Sequence, residues 1–274
     1  MTKGAETEEL LAQLQAGVET LTTGEDWQRM LSLANQMHHY SFGNLLLIAS
    51  QRPGATTVAG YRRWQSLGRQ VRRGEKSIRI LAPVVVRKHD DATGEDVRAL
   101  VAFRGVGVFD VSQTEGEPLP EPIRPVLLDG EAPTGAWDRL AAFVAARGFS
   151  VERGDCGGAN GTTDHGARTV RVRADVSDAQ AFKTLAHEAA HVLLHGSDAV
   201  RAFACRGRLE VEAESTAYVV AGSLGLPTDG YSFPYVAGWS DGDIKAIQAT
   251  GQAVLKTAEA ILAAVVPVGE LVAA

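Results

Sequence analysis

The sequence predicts an α+β chain built as two domains. Three observations predict it. Residues 6–50 space their apolar side chains as helices do, residues 77–113 turn to β-branched alternation, and helical spacing returns only after a stretch holding five of the chain's ten prolines. Those five, Pro118, Pro120, Pro122, Pro125 and Pro133, are too dense for the interior of any compact element. Residues 117–134 therefore read as a linker between a first domain at 1–116 and a second at 135–274. A length of 274 residues is enough for two ordinary domains.

In the first domain, "EELLAQLQAGVETL" and "DWQRMLSLANQMHHYSFGNLLLIASQ" place apolar residues three and four apart, and Pro53 with Gly54 stops the helix. "SIRILAPVVVRKH" alternates Ile78 and Ile80 with Ser77 and Arg79, a strand pattern; "DATGED" supplies a turn and "VRALVAFRGVGVFDVSQ" the return. In the second domain, "AWDRLAAFVAARG" reads as an amphipathic helix ended by Gly148. "FSVERG" and "GARTVRVRAD" read as strands, the latter with Val170 and Val172 facing one way. Ser177, with Gln180 three residues on, opens a capped helix. A helix from about Leu209 to Leu224, a loop rich in Gly, Pro and Ser, and a terminal helix from about Ile244 to Ala264 complete the domain.

Apolar content of 45% and charged content of 22% fit a globular protein with a real core. The opening "MTKGAETEEL" is acidic and lacks an apolar run, so it does not read as a secretory leader. No window approaches ~18 uninterrupted apolar residues, so no membrane span is expected. Cys156 and Cys205 lie far apart without a CxxC pattern, which argues against a disulfide framework and for the cytoplasm.

"FKTLAHEAAHVLLHG", residues 182–196, sets three histidines and a glutamate on an otherwise apolar helix. His187-Glu188-Ala189-Ala190-His191 is an HExxH motif. Four residues advance a helix by about 400°, so the two imidazoles lie one turn apart on one face and can grip one ion. Zn2+ suits that pair, because its catalytic sites combine three protein ligands with water. Glu188 stands beside the face as a general base, and a bound Zn2+ makes hydroxide available near neutral pH. A third ligand is expected from "RLEVEAESTAYVVAGSLG", where Glu210, Glu212 and Glu214 compete. Glu214 shares a stripe with Val211, Ala217, Tyr218 and Ala221 and so points inward; it is the expected ligand. Glu212, beside Ser215, Thr216 and Ser223 on a wetter face, comes second. The plain alternative is that all three acids form a solvated face.

A second feature lies nearer the front. Between Arg52 and Lys88 stand ten basic residues and one acid, Glu75, so this segment carries +9 and leaves −15 for the rest of a chain of net charge −6. Within "TTVAGYRRWQSLGRQVRRGEKSIRILAPV", Tyr61 and Trp64 are interleaved with Arg62, Arg63, Arg69, Arg72, Arg73 and Lys76. Basic side chains bind phosphates and aromatic faces stack on unpaired bases, the chemistry of single-stranded nucleic-acid binding. A charge run is also, more plainly, a solvated face.

The HExxH helix and the glutamate on the following one resemble ImmA/IrrE-like zinc metallopeptidases, with "ESTAYV" similar to that family's second-helix signature. The resemblance implies a gluzincin-type site of His187, His191 and Glu214, with Glu188 as base. Tyr231, Tyr235 and His195 are candidates for stabilising an oxyanion. "YSFGNLLLIASQRPGATTVAGYRRWQSLGRQVRRGEKSIRILAPV" and "VFDVSQTEG" closely resemble the N-terminal domain of ArdC-type antirestriction proteins, nearly continuously over about residues 25–116. That likeness implies a single-stranded DNA-binding domain followed by a zincin-like metallopeptidase domain, on a mobile element. The expectation is thus a single-stranded DNA-binding protein carrying a Zn2+-dependent peptidase that acts on an unidentified protein. The alternatives are a non-enzymatic strand-coating protein with a structural zinc, and a peptidase that cleaves a transcriptional repressor.

Overall fold

The computed structural model describes residues 3–37, 39–90, 95–119, 131–196, 206–228, 233, 240 and 243–266. Its contacts divide the chain into two compact units: residues 1–20 with 43–119, and residues 21–42 with 120–273. The proline-rich segment and the "DATGED" turn lie largely outside the described residues, as does most of the loop before the terminal helix.

The first unit contains helix α1 (Lys3–Glu19), all but the first residue of a helix at Phe42–Gln51, here α3, and a set of strands. Strand β1 (Val58–Gly60) leads into the short helix α4 (Tyr61–Ser66) and strand β2 (Arg69–Val71). Strands β3 (Ile78–Asp90) and β4 (Glu95–Asp110) form a long antiparallel hairpin with a register shift between Val84 and Val85. A 3-10 turn (Val111–Gln113) then gives strand β5 (Thr114–Gly116), which pairs with β2. The larger sheet runs β1-β4-β3. The predicted alternation holds: Ile78 and Ile80 are buried with Val108, while Arg79 between them is not.

The free edge of β3 is closed by side-chain amides. Asn44 brackets Leu81, its Nδ2 donating to the carbonyl and its Oδ1 accepting from the N–H, both at 2.9 Å; Gln51 does the same to Arg79 at 2.8 Å. Asn44 and Gln51 are two helical turns apart and Arg79 and Leu81 two strand residues apart, so one helix face satisfies one strand edge. Asp110 fixes the corner after β4: its carboxylate accepts from Thr56, Thr57 and Ser112 backbone N–H groups. Burial pushes that carboxyl up, but these bonds outweigh it and hold its pKa below the ordinary value.

The second unit contains helix α2 (Gly24–Met37), helix α5 (Ala136–Ala145), and strands β6 (Ser150–Gly154), β7 (Gly161–Asp164) and β8 (Thr169–Arg173). It is completed by helices α6 (Asp178–Leu194), α7 (Arg206–Ser223) and α8 (Ile244–Val265). The sheet runs β6-β8-β7, with β6 parallel and β7 antiparallel to β8. Val170 and Val172 are buried beneath α6, which also packs on α5, α7 and α8. Ser177 caps α6 by accepting from the Gln180 N–H, as expected.

The division differs from the sequence boundary at 1–116 in one element. Helix α2 belongs with the second unit, because its apolar face is built to fit α7. Trp27 is fully buried and donates from Nε1 to Ser215 Oγ at 2.8 Å, and Ser32 Oγ lies 2.7 Å from the Tyr218 hydroxyl. Asn35 comes so close to Gly222 that a Cβ there would lie 2.1 Å from its Nδ2, so this approach requires glycine. Among the described residues, no helix is long and apolar enough to cross a membrane.

Candidate functional site

The HExxH helix is legible in its burial pattern: Leu185, Ala186, Ala189 and Ala190 are fully buried and anchor α6, leaving His187 and His191 on a half-buried face toward α7. The two Nε2 atoms are 3.0 Å apart. Glu210, in the second turn of α7, places Oε2 3.5 Å from His187 Nε2 and 3.8 Å from His191 Nε2. These three side chains are the group among the described residues whose ligand atoms could hold a metal ion. A tetrahedral ion about 2.1 Å from each donor needs donors about 3.4 Å apart, close to the three separations seen. The donor set of two imidazoles and a carboxylate suits Zn2+.

Glu214, the carboxylate expected to be the third ligand, is instead on the far side of the ring: its Oε2 faces His187 Nδ1 at 3.0 Å. There it orients the imidazole and leaves Nε2 to the centre, a role a second carboxylate often plays behind a metal-binding histidine. The Glu214 side chain is 35% exposed, and the glutamate one turn earlier, Glu210, is the one whose carboxylate reaches the Nε2 edge. Glu212 is not on a wet face: it is 5% exposed, with Ser215 and Thr216 fully buried beside it. Its carboxylate accepts from Arg208 Nε at 2.8 Å and Thr250 Oγ1 at 3.1 Å, and its Oε2 lies 3.0 Å from His195 Nε2. His195 is 1% exposed, so it cannot meet an oxyanion in solvent-accessible space. Tyr231 and Tyr235 lie outside the described residues.

Burial lowers the pKa of His187, but its hydrogen bonds to Glu210 and Glu214 outweigh that and raise it to about 10. Burial and the neighbouring charge of His187 lower that of His191 to about 4. The trio therefore favours a cation at its centre, whether a proton on His187 or a metal ion in its place.

Glu188 is 5% exposed; burial raises its pKa, partly opposed by Thr163, whose hydroxyl donates to Oε2 at 2.6 Å. Strand β7 thus holds the carboxylate from one side, and it approaches closely: a Cβ on Gly161 would lie 2.6 Å from Glu188 Oε1. Sequence reasoning missed β7 and with it Thr163. A cleft of about 370 Å³ opens here, lined by Asn160, Gly161, Lys183, His187, Glu188 and Glu214 among others.

In the first unit the basic segment divides. Arg62, Arg63, Arg73 and Lys76 are exposed and make no ion pair among the described residues, and Tyr61 is 41% exposed with its hydroxyl accepting from Gln70. Arg69 is spent internally, donating to Thr114 and to the Gly116 and Glu117 carbonyls. Arg72 pairs with Glu75 at 2.8 Å and donates to the Ser112 carbonyl. Trp64 is fully buried with its indole N–H donating to the Phe109 carbonyl at 2.9 Å, so it is core and not a stacking platform.

Fold and site define the class: a mixed α/β chain with a His/Glu centre that could hold a metal ion. Residues 5–109 match the family model described as the N-terminal domain of anti-restriction factor ArdC. The fold resembles a metal-free crystal structure of the antirestriction ArdC protein from R388 plasmid, at 23% identity and a TM-score of 0.50, covering 81% of this chain and 82% of that one. A Mn(II)-bound crystal structure of the same protein matches at 21% identity and a TM-score of 0.48, covering 81% and 87%. An uncharacterized protein of Bacillus anthracis is 29% identical over 257 residues. That alignment takes in 77% of this chain, which spans 43% of the relative's length.

Proposed function

We propose that the chain is an antirestriction-type protein of mobile elements, whose first unit binds single-stranded DNA and whose second is a zincin-like, Zn2+-dependent peptidase. The observation that carries the enzymatic half is the convergence of His187 Nε2, His191 Nε2 and Glu210 Oε2 beside a buried Glu188. When bound, the ion polarises a carbonyl and acidifies water. The protein's own residues do the rest. Glu188, with its pKa raised, takes the proton from the attacking water and returns it to the leaving amine. Thr163 holds Oε2, so Oε1 is the atom that carries the proton. Glu214 keeps His187 turned toward the centre. For the DNA half, Tyr61 offers a face for a base while Arg62, Arg63, Arg73 and Lys76 offer charge to phosphates.

The test is a peptide library digested by the Zn2+-loaded chain, with new termini identified by mass spectrometry. The expected result is cleavage that Glu188→Gln and chelation both abolish. Identical termini from the Glu188→Gln protein would exclude the mechanism, and no cleavage by the wild type alongside retained DNA binding would leave a strand-coating protein.

A further inference from the structure

We infer that Glu212 and His195 form a hydrogen-bond relay that fixes the tautomer of His191 and thereby makes it a ligand. This rests on the metal-centre reading above. The relay can be worked out by counting donors. Glu212 Oε1 is occupied by Arg208 Nε and Thr250 Oγ1, and Oε2 faces His195 Nε2 at 3.0 Å. A carboxylate only accepts, so His195 carries its proton on Nε2. With that one ring proton on Nε2, the His195 Nδ1 is a lone pair, while Arg208 holds the other oxygen of the same carboxylate. That Nδ1 is 2.9 Å from His191 Nδ1, a separation that requires one nitrogen to donate. The donor is His191. With its proton on Nδ1, His191 turns an Nε2 lone pair toward His187 Nε2 at 3.0 Å, on the side where Glu210 Oε2 lies 3.8 Å away.

The two imidazoles are thus set by different routes to one end. Glu214 acts directly on His187, whereas Glu212 acts on His191 through an intervening ring. The local backbone explains why a third histidine can serve. His195 is the C-cap of α6, leaves the helix at φ −120° and ψ 100°, and still donates its N–H to the His191 carbonyl at 3.0 Å. Side chain and backbone both tie it to the residue it orients, and Thr250 links the relay to α8. His195 and Glu212 are positioning residues and touch no reacting atom.

Glu212→Gln tests the relay. Arg208 and Thr250 keep the introduced carbonyl, so the introduced amide N–H faces His195, which must then accept on Nε2 and donate from Nδ1. His191 is forced to carry its proton on Nε2, pointed at the ion. Zn2+ affinity, measured by competition with a chromophoric chelator, is expected to fall about 10- to 100-fold. Nitrogen NMR of histidine-labelled, chelator-treated full chain at neutral pH should show His191 switching from the Nδ1–H to the Nε2–H form. His195→Gln, which can accept from His191 and donate to Glu212, is expected to keep affinity within a few-fold. His195→Leu should lose it, and that pair decides the matter even if the Glu212 variant does not fold. Unchanged affinity and an unchanged His191 tautomer in Glu212→Gln or His195→Leu would overturn the relay while Glu210→Ala still lost the ion. A wild-type chain that binds no Zn2+ would instead overturn the centre and the relay with it.

Discussion

Four cations on the first unit predict how single-strand binding should respond to salt. Arg62, Arg63, Arg73 and Lys76 are exposed and unpaired among the described residues, whereas Arg69 and Arg72 are committed to Thr114, Glu75 and backbone carbonyls. Each phosphate neutralised on a single strand contributes about 0.7 to the slope of log affinity against log salt, so four give about 2.8. Raising salt from about 50 to about 200 mM should then weaken binding about 50-fold. Replacing Arg62 and Arg63 by Gln should lower the slope by about 1.4, leaving roughly a sevenfold loss over the same range. Fluorescence anisotropy with a labelled single-stranded oligonucleotide at several salt concentrations measures it. Arg69→Gln is the control: it should cost about 1–3 kcal/mol of stability by leaving its acceptors unpaired, with the slope unmoved. A slope unchanged in the Arg62/Arg63 double variant would refute the assignment of this face.

Further expectations follow from the packing and the site. Gly222→Ala puts a Cβ against Asn35 and should destabilise the chain by about 1–3 kcal/mol in a denaturant titration. Gly161→Ala displaces the Glu188 carboxylate and should cost about 100-fold in kcat while Zn2+ affinity stays the same. Tyr61→Ala should lose about 1–3 kcal/mol of DNA affinity, whereas Trp64→Ala should lose about 3–5 kcal/mol of stability. His187 has a folded-state pKa of about 10 against an ordinary value of 6.5. Its ion pairs therefore stabilise the chelator-treated chain fully below pH 6.5, and that contribution disappears as pH rises through about 10. A metal displaces the same proton, so Zn2+ affinity, measured by competition titration, should rise about tenfold per pH unit across that window.

The elements that periodicity could reveal were legible. The hairpin at 78–110, the capped α6 and the terminal helix each run long enough to show a two- or 3.6-residue repeat. Strands β1, β2 and β5 have three residues each, too few for any repeat, and β7 reads Gly-Thr-Thr-Asp, an edge strand with no apolar pattern. The HExxH pair was legible because its spacing alone fixes both rings on one face. The carboxylate at their Nε2 edge was not, because helical spacing puts Glu214 on the apolar stripe, whereas the one that approaches both Nε2 atoms is that of the exposed Glu210 one turn away. The i, i+4 pair of acids facing two histidines was the available signal: one carboxylate at the Nε2 edges, one at Nδ1 behind the ring. In the basic segment, composition counts Arg69 and Arg62 alike. Only the fold shows that the first clasps β5 and that Trp64 fills the core.

The central claim is that His187, His191 and Glu210 together hold one divalent cation. Elemental analysis of desalted protein, paired with competition titration of Zn2+, tests it on the wild type and on His191→Ala, Glu210→Ala and Glu214→Ala. The expected result is one ion per wild-type chain, none retained by His191→Ala or Glu210→Ala, and affinity weakened about 10- to 100-fold in Glu214→Ala. A Glu210→Ala protein that kept its ion at wild-type affinity would contradict the assignment.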